Sequence, residues 1–240
     1  MSISRKAALA GVYEHPLRWA PHKTQYQIMA EAARGALGEA GLTIKDVNGL
    51  FTSGVGGMGI IALAEHLNLN PDFLDSNSIG GSSFVSHTAH AAAAIAAGYC
   101  DVALILYGSK WSSDRFAVGT GGAGGGDPPE QFESCYGPTT VGDYALAAQR
   151  HMHEFGTTSE QLAEIAVVTR SHASLNPNAK FRDPITVEDV LASREVSSPL
   201  HLLDCCMISD GGGALVVTSA ERARDLDKKP VYILLSLIHF

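Results

Sequence analysis

The chain has 240 residues, of which 45% are hydrophobic and 18% charged, as is typical of a globular protein with a sizeable core. Its formal net charge of −8, without a basic run, argues against a nucleic-acid partner. We find no secretory signal, and the apolar runs are too short to span a bilayer. We therefore predict a cytoplasmic protein without membrane contact.

Strand and helix patterns alternate over the first 110 residues. In chain order they predict a strand at 6–13, a helix from Thr24 to about Ala40, a strand at 46–52, a short helix reaching 63–67, a strand at 73–78, an alanine-rich helix after Ser82 or Ser83, and a strand at 101–107. The last of these is a continuous apolar run, typical of a strand covered on both faces. The alternating order favours a layered α/β sheet.

The pattern changes after residue 110. The glycines of 119–126 predict a long irregular loop, which we interpret as flexible rather than phosphate-binding because it lacks the G-K-[ST] sequence. Beyond it, the sequence predicts helices at 139–155, 159–172 (capped by Ser159) and 188–193 (capped by Thr186), a late strand at 213–218 that returns to the sheet, and a closing helix at 220–226.

The elbow Gly80-Gly81-Ser82-Ser83 joins the third predicted strand to the alanine-rich helix. Backbone N–H groups and the positive helix end would converge there, where an anion or oxyanion can sit. Ser82 and Ser83 are candidate nucleophiles, but the G-x-S-x-G spacing of hydrolases is absent. We favour a helix-capping role for these serines.

His87 and His90 lie three residues apart on one face of the same helix. Further metal ligands at a workable distance are not evident, so we predict no metal site. The favoured interpretation is a buried histidine satisfied by a neighbour, and an acid–base role stays open for His90. His151 and His153 point to different faces of a later helix and are expected at the surface.

Four cysteines are present, and none forms a C-x-x-C pair; they are Cys100, Cys135, Cys205 and Cys206. We interpret them as reduced thiols that are mostly buried. Asp210 precedes three glycines and the late strand, a pattern that we interpret as a tight turn rather than a catalytic acid.

Several segments together resemble the thiolase superfamily, especially thiolases of the sterol-carrier-protein type. The matching segments are 151–167, Asn176-Pro177, Phe181-Arg182-Asp183, 186–190, Leu203-Asp204-Cys205-Cys206 and 209–214, within a resemblance that runs from about 7 to 227. The resemblance implies a thiolase-like layered α/β fold, with a mixed five-stranded sheet and a helical loop-domain insertion. The domains would be 1–111, a loop domain at 112–200, a return strand and helix at 201–228, and a truncated or altered start of a second half at 229–240.

The resemblance also implies an acyl-CoA thioester as substrate, coenzyme A as substrate or product, no other cofactor, and a homodimer formed through the sheet. Thiolases carry a nucleophilic cysteine at the start of the central helix, where the helix dipole favours thiolate. The family's spacing, counted back from Asp101, places that position at Gly81, which cannot be acylated. The family's remaining catalytic loops belong to a second half that this chain lacks.

Three functions remain open. The leading one is a thiolase-like acyl-CoA acyltransferase of the acetyl-CoA acetyltransferase family, acting on a β-ketoacyl-CoA and inactive as this fragment. The second is a retro-aldolase of the same fold acting on a β-hydroxyacyl-CoA, which needs no cysteine and can work with a zinc-ribbon/OB-fold subunit. The third is a non-catalytic lipid- or acyl-CoA-binding or scaffold subunit.

Site residues follow from the same comparison. Gly80, Gly81 and Ser82 would shape an oxyanion or acyl pocket through backbone N–H groups. Ser82, Ser83 and His90 are the candidate catalytic residues.

Overall fold

The computed structural model describes residues 3–55, 58–116, 118, 132 and 139–234. The glycine-rich loop, Cys135 and the apolar end of the chain therefore lie largely outside the described residues. Contacts divide the chain into one unit of residues 1–110 with 210–240 and a second unit of residues 111–209. The domain bounds given above stay predictions.

Over the first 110 residues, helices and strands alternate as the sequence predicts. In chain order they are β1 (Ala7–Glu14), α1 (Gln25–Glu39), β2 (Gly49–Thr52), α2 (Gly59–His66), β3 (Phe73–Ser76), α3 (Ser83–Ala96), β4 (Val102–Ser109), α4 (Thr140–Phe155), α5 (Ser159–Leu175), α6 (Val187–Ala192), β5 (Glu195–Ser197), β6 (Leu200–His201), β7 (Gly211–Ser219) and β8 (Val231–Tyr232). Short 3-10 turns occupy Ile44–Asp46, Leu202–Asp204 and Arg222–Asp225. The last of these stands where a closing helix was predicted.

The first unit is built on a mixed sheet with the strand order β3-β2-β4-β7-β1-β8. Strand β2 runs parallel to β3 and β4, whereas β7 is antiparallel to β4 and β1. The sheet has six strands rather than the predicted five, because the short β8 pairs with β1 through Ala8–Tyr232 and Leu9–Val231. Strand β3 lies at the opposite edge of the sheet.

Both faces of this sheet are covered, as the apolar run of β4 predicts. Leu104 belongs to a core cluster that also contains residues of α1 and α2, and Ile105 belongs to a second cluster with residues of α3. The alternation follows from the two-residue period of a strand. Alanines such as Ala32 and Ala92 line the covering helices, so these helices pack close to the strands.

At the helix starts, two of the predicted capping side chains are confirmed and two are not. Thr24 caps α1 through a capping box, and Thr186 caps α6 in the same way. The cap of α5 is Thr158 rather than Ser159, since the Thr158 side chain accepts from the Gln161 N–H. Ser82 stands at the N-cap position of α3, but its side chain makes no capping hydrogen bond, so the predicted capping role is wrong for that side chain.

The second unit contains α4, α5, α6 and the hairpin β5–β6. The three helices were predicted from the sequence, whereas the hairpin was not. Helix α4 ends at Gly156, whose φ of 70° is the left-handed conformation that favours glycine. No helix within the described residues is both long enough and apolar enough to cross a membrane.

Candidate functional site

The elbow between β3 and α3 turns sharply at Gly80, whose φ is 66°. Glycine adopts this left-handed conformation without the steric cost that a Cβ imposes. Gly81 has no such constraint, because a Cβ built there would meet no heavy atom within 4 Å. Packing against the described residues therefore does not require glycine at position 81, and the backbone at the elbow is open on that side.

Ser83 is buried at the first position of α3. Its Oγ donates to the Gly80 carbonyl oxygen at 2.7 Å and accepts from the Ile79 N–H at 2.9 Å. The hydroxyl thus holds the elbow against the helix and is inaccessible. This geometry favours a structural role over the candidate nucleophilic one. Ser82 is partly exposed beside it.

The start of α3 supplies the electrostatics of the elbow. The first N–H groups of a helix lack carbonyl partners within the helix, and the aligned peptide dipoles place partial positive charge there. Because Gly80, Gly81 and Ser82 lie directly before this helix, their backbone borders that charge. An anionic oxygen held at the elbow would be stabilised by these groups.

His87 lies one helical turn beyond the elbow and is fully buried. Its ring packs at 6.1 Å from the rings of both Phe51 and Phe84. Neither ring nitrogen has a hydrogen-bond partner among the described residues, so the prediction of a neighbour-satisfied histidine is wrong for His87. Burial lowers the pKa of His87, an effect that the Asp75 carboxylate opposes. The ring is therefore neutral near neutral pH.

His90 is half exposed and is held by a different pair of residues. Its Nδ1 lies 2.5 Å from Asp75 Oδ2, and its Nε2 lies 3.3 Å from Ser86 Oγ. The hydrogen bonds of His90 thus lead to Asp75 and Ser86, not to the serines of the elbow. The sequence prediction missed Asp75 and Ser86; the i, i+4 spacing of Ser86 and His90 was the signal that was available.

The described thiols do not supply a nucleophile at the elbow. Cys100 is buried, and burial, with smaller contributions from Asp101 and Asp72, raises its pKa to about 11. Cys205 is half-buried, and burial also raises its pKa. Cys206 is exposed, so the expectation that the cysteines are mostly buried fails there.

The remaining candidates have structural or surface positions. Asp210 is buried, and its Oδ2 accepts from the Ala20 N–H at 2.7 Å. The predicted tight turn is wrong, because the three glycines that follow Asp210 already belong to strand β7. His151 and His153 are exposed, as predicted. Across the described part of the chain, no three His, Cys, Asp or Glu side chains are grouped as metal ligands would be.

The mixed sheet, its two helical layers and the central helix α3 that starts at a glycine elbow define a thiolase-like α/β fold. The solved structure titled "Ltp2-ChsH2(DUF35) aldolase" superposes on 97% of this chain with a TM-score of 0.84 at 36% identity. The family resemblance and the fold class predicted from the sequence are thereby confirmed, apart from the number of strands.

Curated relatives agree with this structure. The chain is 37% identical over 235 residues to a steroid side-chain-cleaving aldolase of Thermomonospora curvata, which covers 95% of the chain. It is 36% identical over 239 residues to the 17-hydroxy-3-oxo-4-pregnene-20-carboxyl-CoA lyase of Mycobacterium tuberculosis, which covers 96%. An acetyl-CoA acetyltransferase of Methanothermobacter thermautotrophicus is 33% identical over 218 residues and covers 86%.

Over 84 residues, or 35% of its length, the chain is also 37% identical to sterol carrier protein 2 of Gallus gallus. The chain belongs to the sterol-carrier-protein-2-type, thiolase-like proteins of the thiolase superfamily. The chain spans 60% and 62% of the length of the aldolase and the lyase, and 55% of the acetyltransferase. No protein-family model matches it.

Proposed function

We propose that this chain is part of a carbon–carbon lyase of the thiolase fold that cleaves a β-hydroxyacyl-CoA by retro-aldol chemistry. The observation that carries the proposal is Gly81. It occupies the position that the family's spacing gives to the nucleophilic cysteine, and it is open enough to accept a side chain. Both the aldolase and the lyase relatives match the chain at higher identity than the acetyltransferase does.

Retro-aldol cleavage needs no covalent acyl-enzyme. A base removes the proton of the β-hydroxyl group, the bond between Cα and Cβ breaks, and Cβ leaves as an aldehyde or ketone. The electron pair passes to the thioester, whose oxygen becomes an enolate that is then protonated at Cα. Backbone N–H groups at Gly80, Gly81 and Ser82, with the positive end of α3, are suited to hold that oxygen.

Coenzyme A enters this proposal as part of the substrate and of the shortened product, and we propose no other cofactor. A DUF35-type subunit with a zinc ribbon and an OB-fold is the partner we propose, since the solved relative is named as an aldolase of Ltp2 with ChsH2(DUF35). We also propose a homodimer formed through β3, because this strand lies at an edge of the sheet.

To test the proposal, the purified chain is incubated with each of two substrates, both alone and together with a DUF35-type subunit. We expect release of a ketone and a shortened acyl-CoA from 17-hydroxy-3-oxo-4-pregnene-20-carboxyl-CoA, the compound in the name of one relative. We expect no thioester loss from acetoacetyl-CoA with coenzyme A. Thiolysis of the latter would support the acyltransferase function instead. Saturable binding of both without turnover would favour a binding or scaffold subunit.

A further inference from the structure

A groove of about 420 Å³ lies within the second unit, beside helix α5. Leu162, Ile165 and Ala166 of this helix form part of one wall. The segment 179–207 forms the other, where the large apolar side chains are Phe181, Ile185, Leu200, Leu203 and Met207. We call this space the α5 groove. Its volume and its apolar walls are typical of a site for a small molecule.

The α5 groove is open to solvent. Ile165 is 65% exposed and Phe181 is 49% exposed, although both are large apolar side chains. All the residues that line the groove lie between 162 and 207, whereas the homodimer proposed above is formed through β3. Exposed apolar side chains that are grouped around a groove indicate a binding surface.

Two adjacent cysteines line the groove, and their surroundings differ. Cys205 is half-buried, its Sγ donates to the His201 carbonyl oxygen at 3.3 Å, and burial raises its pKa. Cys206 is exposed, and its Sγ donates to the Met207 carbonyl oxygen at 3.3 Å. A thiol must be accessible in order to attack a carbonyl carbon. Cys206 is therefore the better nucleophile of the two.

Charged side chains also border the groove. The Arg170 guanidinium lies 5.4 Å from the centroid of the Phe181 ring, and Lys180 Nζ lies 5.7 Å from it. Asp204 lines the groove too, but its side chain is only 7% exposed, and Oδ2 accepts a hydrogen bond from the backbone N–H of His201. Apolar walls with two cations beside Phe181 suit a molecule that has an apolar chain and an anionic group, as an acyl-CoA has.

We propose that Cys206 is a site of S-acylation, where an acyl-CoA transfers its acyl group to Sγ and the acyl chain lies in the α5 groove. This modification goes beyond the lyase function and does not rest on it, since it needs only an acyl thioester as donor. The apolar walls bind the chain and so raise the effective concentration of the thioester carbonyl at the thiol.

The step balances without a further reactant. Cys206 loses its S–H proton to solvent, and the thiolate Sγ attacks the carbonyl carbon of the thioester. The bond between that carbon and the sulfur of CoA then breaks, and the CoA thiolate takes up a proton from solvent. One thiol and one thioester yield another thioester and another thiol, so nothing is oxidised or reduced.

The experiment incubates the purified chain at pH 8 with octanoyl-CoA or, separately, with acetyl-CoA at the same concentration. Peptide mass spectrometry locates the acyl group, and neutral hydroxylamine, which cleaves thioesters, should release it. We expect Cys206 to gain the octanoyl group at least about 10-fold faster than the acetyl group, because the longer chain buries more apolar surface in the groove. Cys206→Ala should abolish the modification.

Two matched variants on α5 separate the groove from the thiol. Ile165→Asn places a polar side chain in the wall and should slow octanoyl transfer about 5-fold without changing acetyl transfer. Val168→Asn makes a similar change at a 45% exposed position of the same helix outside the groove, and should leave both rates unchanged. Cys206 should react with iodoacetamide equally fast in both variants, which checks that the thiol stays accessible.

Three outcomes would overturn the proposal. They are octanoyl transfer to a cysteine other than Cys206, equal rates with octanoyl-CoA and acetyl-CoA, and equal slowing by Ile165→Asn and Val168→Asn. Cys206 has no role in the proposed carbon–carbon cleavage, so Cys206→Ala should release ketone from the steroid thioester at the rate of the parent protein. This proposal and the lyase proposal can therefore fail separately.

Discussion

Ser83 Oγ donates to the carbonyl oxygen of Gly80 at 2.7 Å, which ties the first residue of α3 to the left-handed turn of the elbow. The same oxygen accepts from the Ile79 N–H at 2.9 Å. One buried hydroxyl therefore fixes the geometry on both sides of Gly80. The elbow keeps its form through this side chain rather than through a conventional helix cap.

Ser83→Ala removes both hydrogen bonds. We expect unfolding in urea to require about 1–3 kcal/mol less free energy, because two hydrogen bonds worth about 0.5–1.5 kcal/mol each are lost. Ser82→Ala is the matched control: the Ser82 side chain makes no capping hydrogen bond, so its loss should cost less than about 0.5 kcal/mol. Equal losses in the two variants would contradict the role given to Ser83.

Gly81→Cys places a thiol at the start of α3. The space around Gly81 admits a Cβ, and its backbone is not left-handed, so we expect a stability change within about 1 kcal/mol. The helix dipole should lower the pKa of the introduced thiol, which should then react with iodoacetamide near pH 7 faster than the exposed Cys206 does. Reaction no faster than that of Cys206 would show that the elbow does not favour an anion.

The sequence predicts the parts of this site that depend on local patterns. Alternation of strand and helix, the two-faced burial of β4 and the glycine elbow each follow from neighbouring residues. The contact between Asp75 and His90 was not predicted, because the two residues are 15 positions apart in the sequence and meet only when α3 packs beside β3. Likewise, β8 becomes a strand only through pairing with β1, at the other end of the chain. Such contacts depend on tertiary packing, which periodicity does not encode.

His87 should make the stability of the protein depend on pH. Burial lowers its pKa in the folded state, so the unfolded chain binds a proton more readily. Stability is then lost as the pH falls below the ordinary histidine value of about 6.5, until the lower folded value is reached. His87→Leu removes the titrating ring, together with two buried nitrogens that have no hydrogen-bond partner among the described residues. We expect a smaller loss of stability between pH 7 and pH 5 and a gain of about 1 kcal/mol at pH 7, measured by urea unfolding.

The control for that titration is His153→Leu, on the exposed surface of α4. Its stability should follow the pH dependence of the parent protein. If His87→Leu shows the same decline with falling pH as the parent does, a bound water or another group satisfies the His87 ring, and its burial carries no pH dependence.

Cys100 and Cys206 should differ sharply in thiol chemistry. With its pKa raised to about 11 by burial, Cys100 is almost entirely protonated at pH 8, where only about one molecule in a thousand is thiolate. Cys206 is exposed. Timed alkylation at pH 8, followed by peptide mass spectrometry, should modify Cys206 first and Cys100 only after urea is added. Since burial is the main cause of the raised pKa of Cys100, fast modification of Cys100 in the folded protein would mean that the core around this thiol opens to solvent.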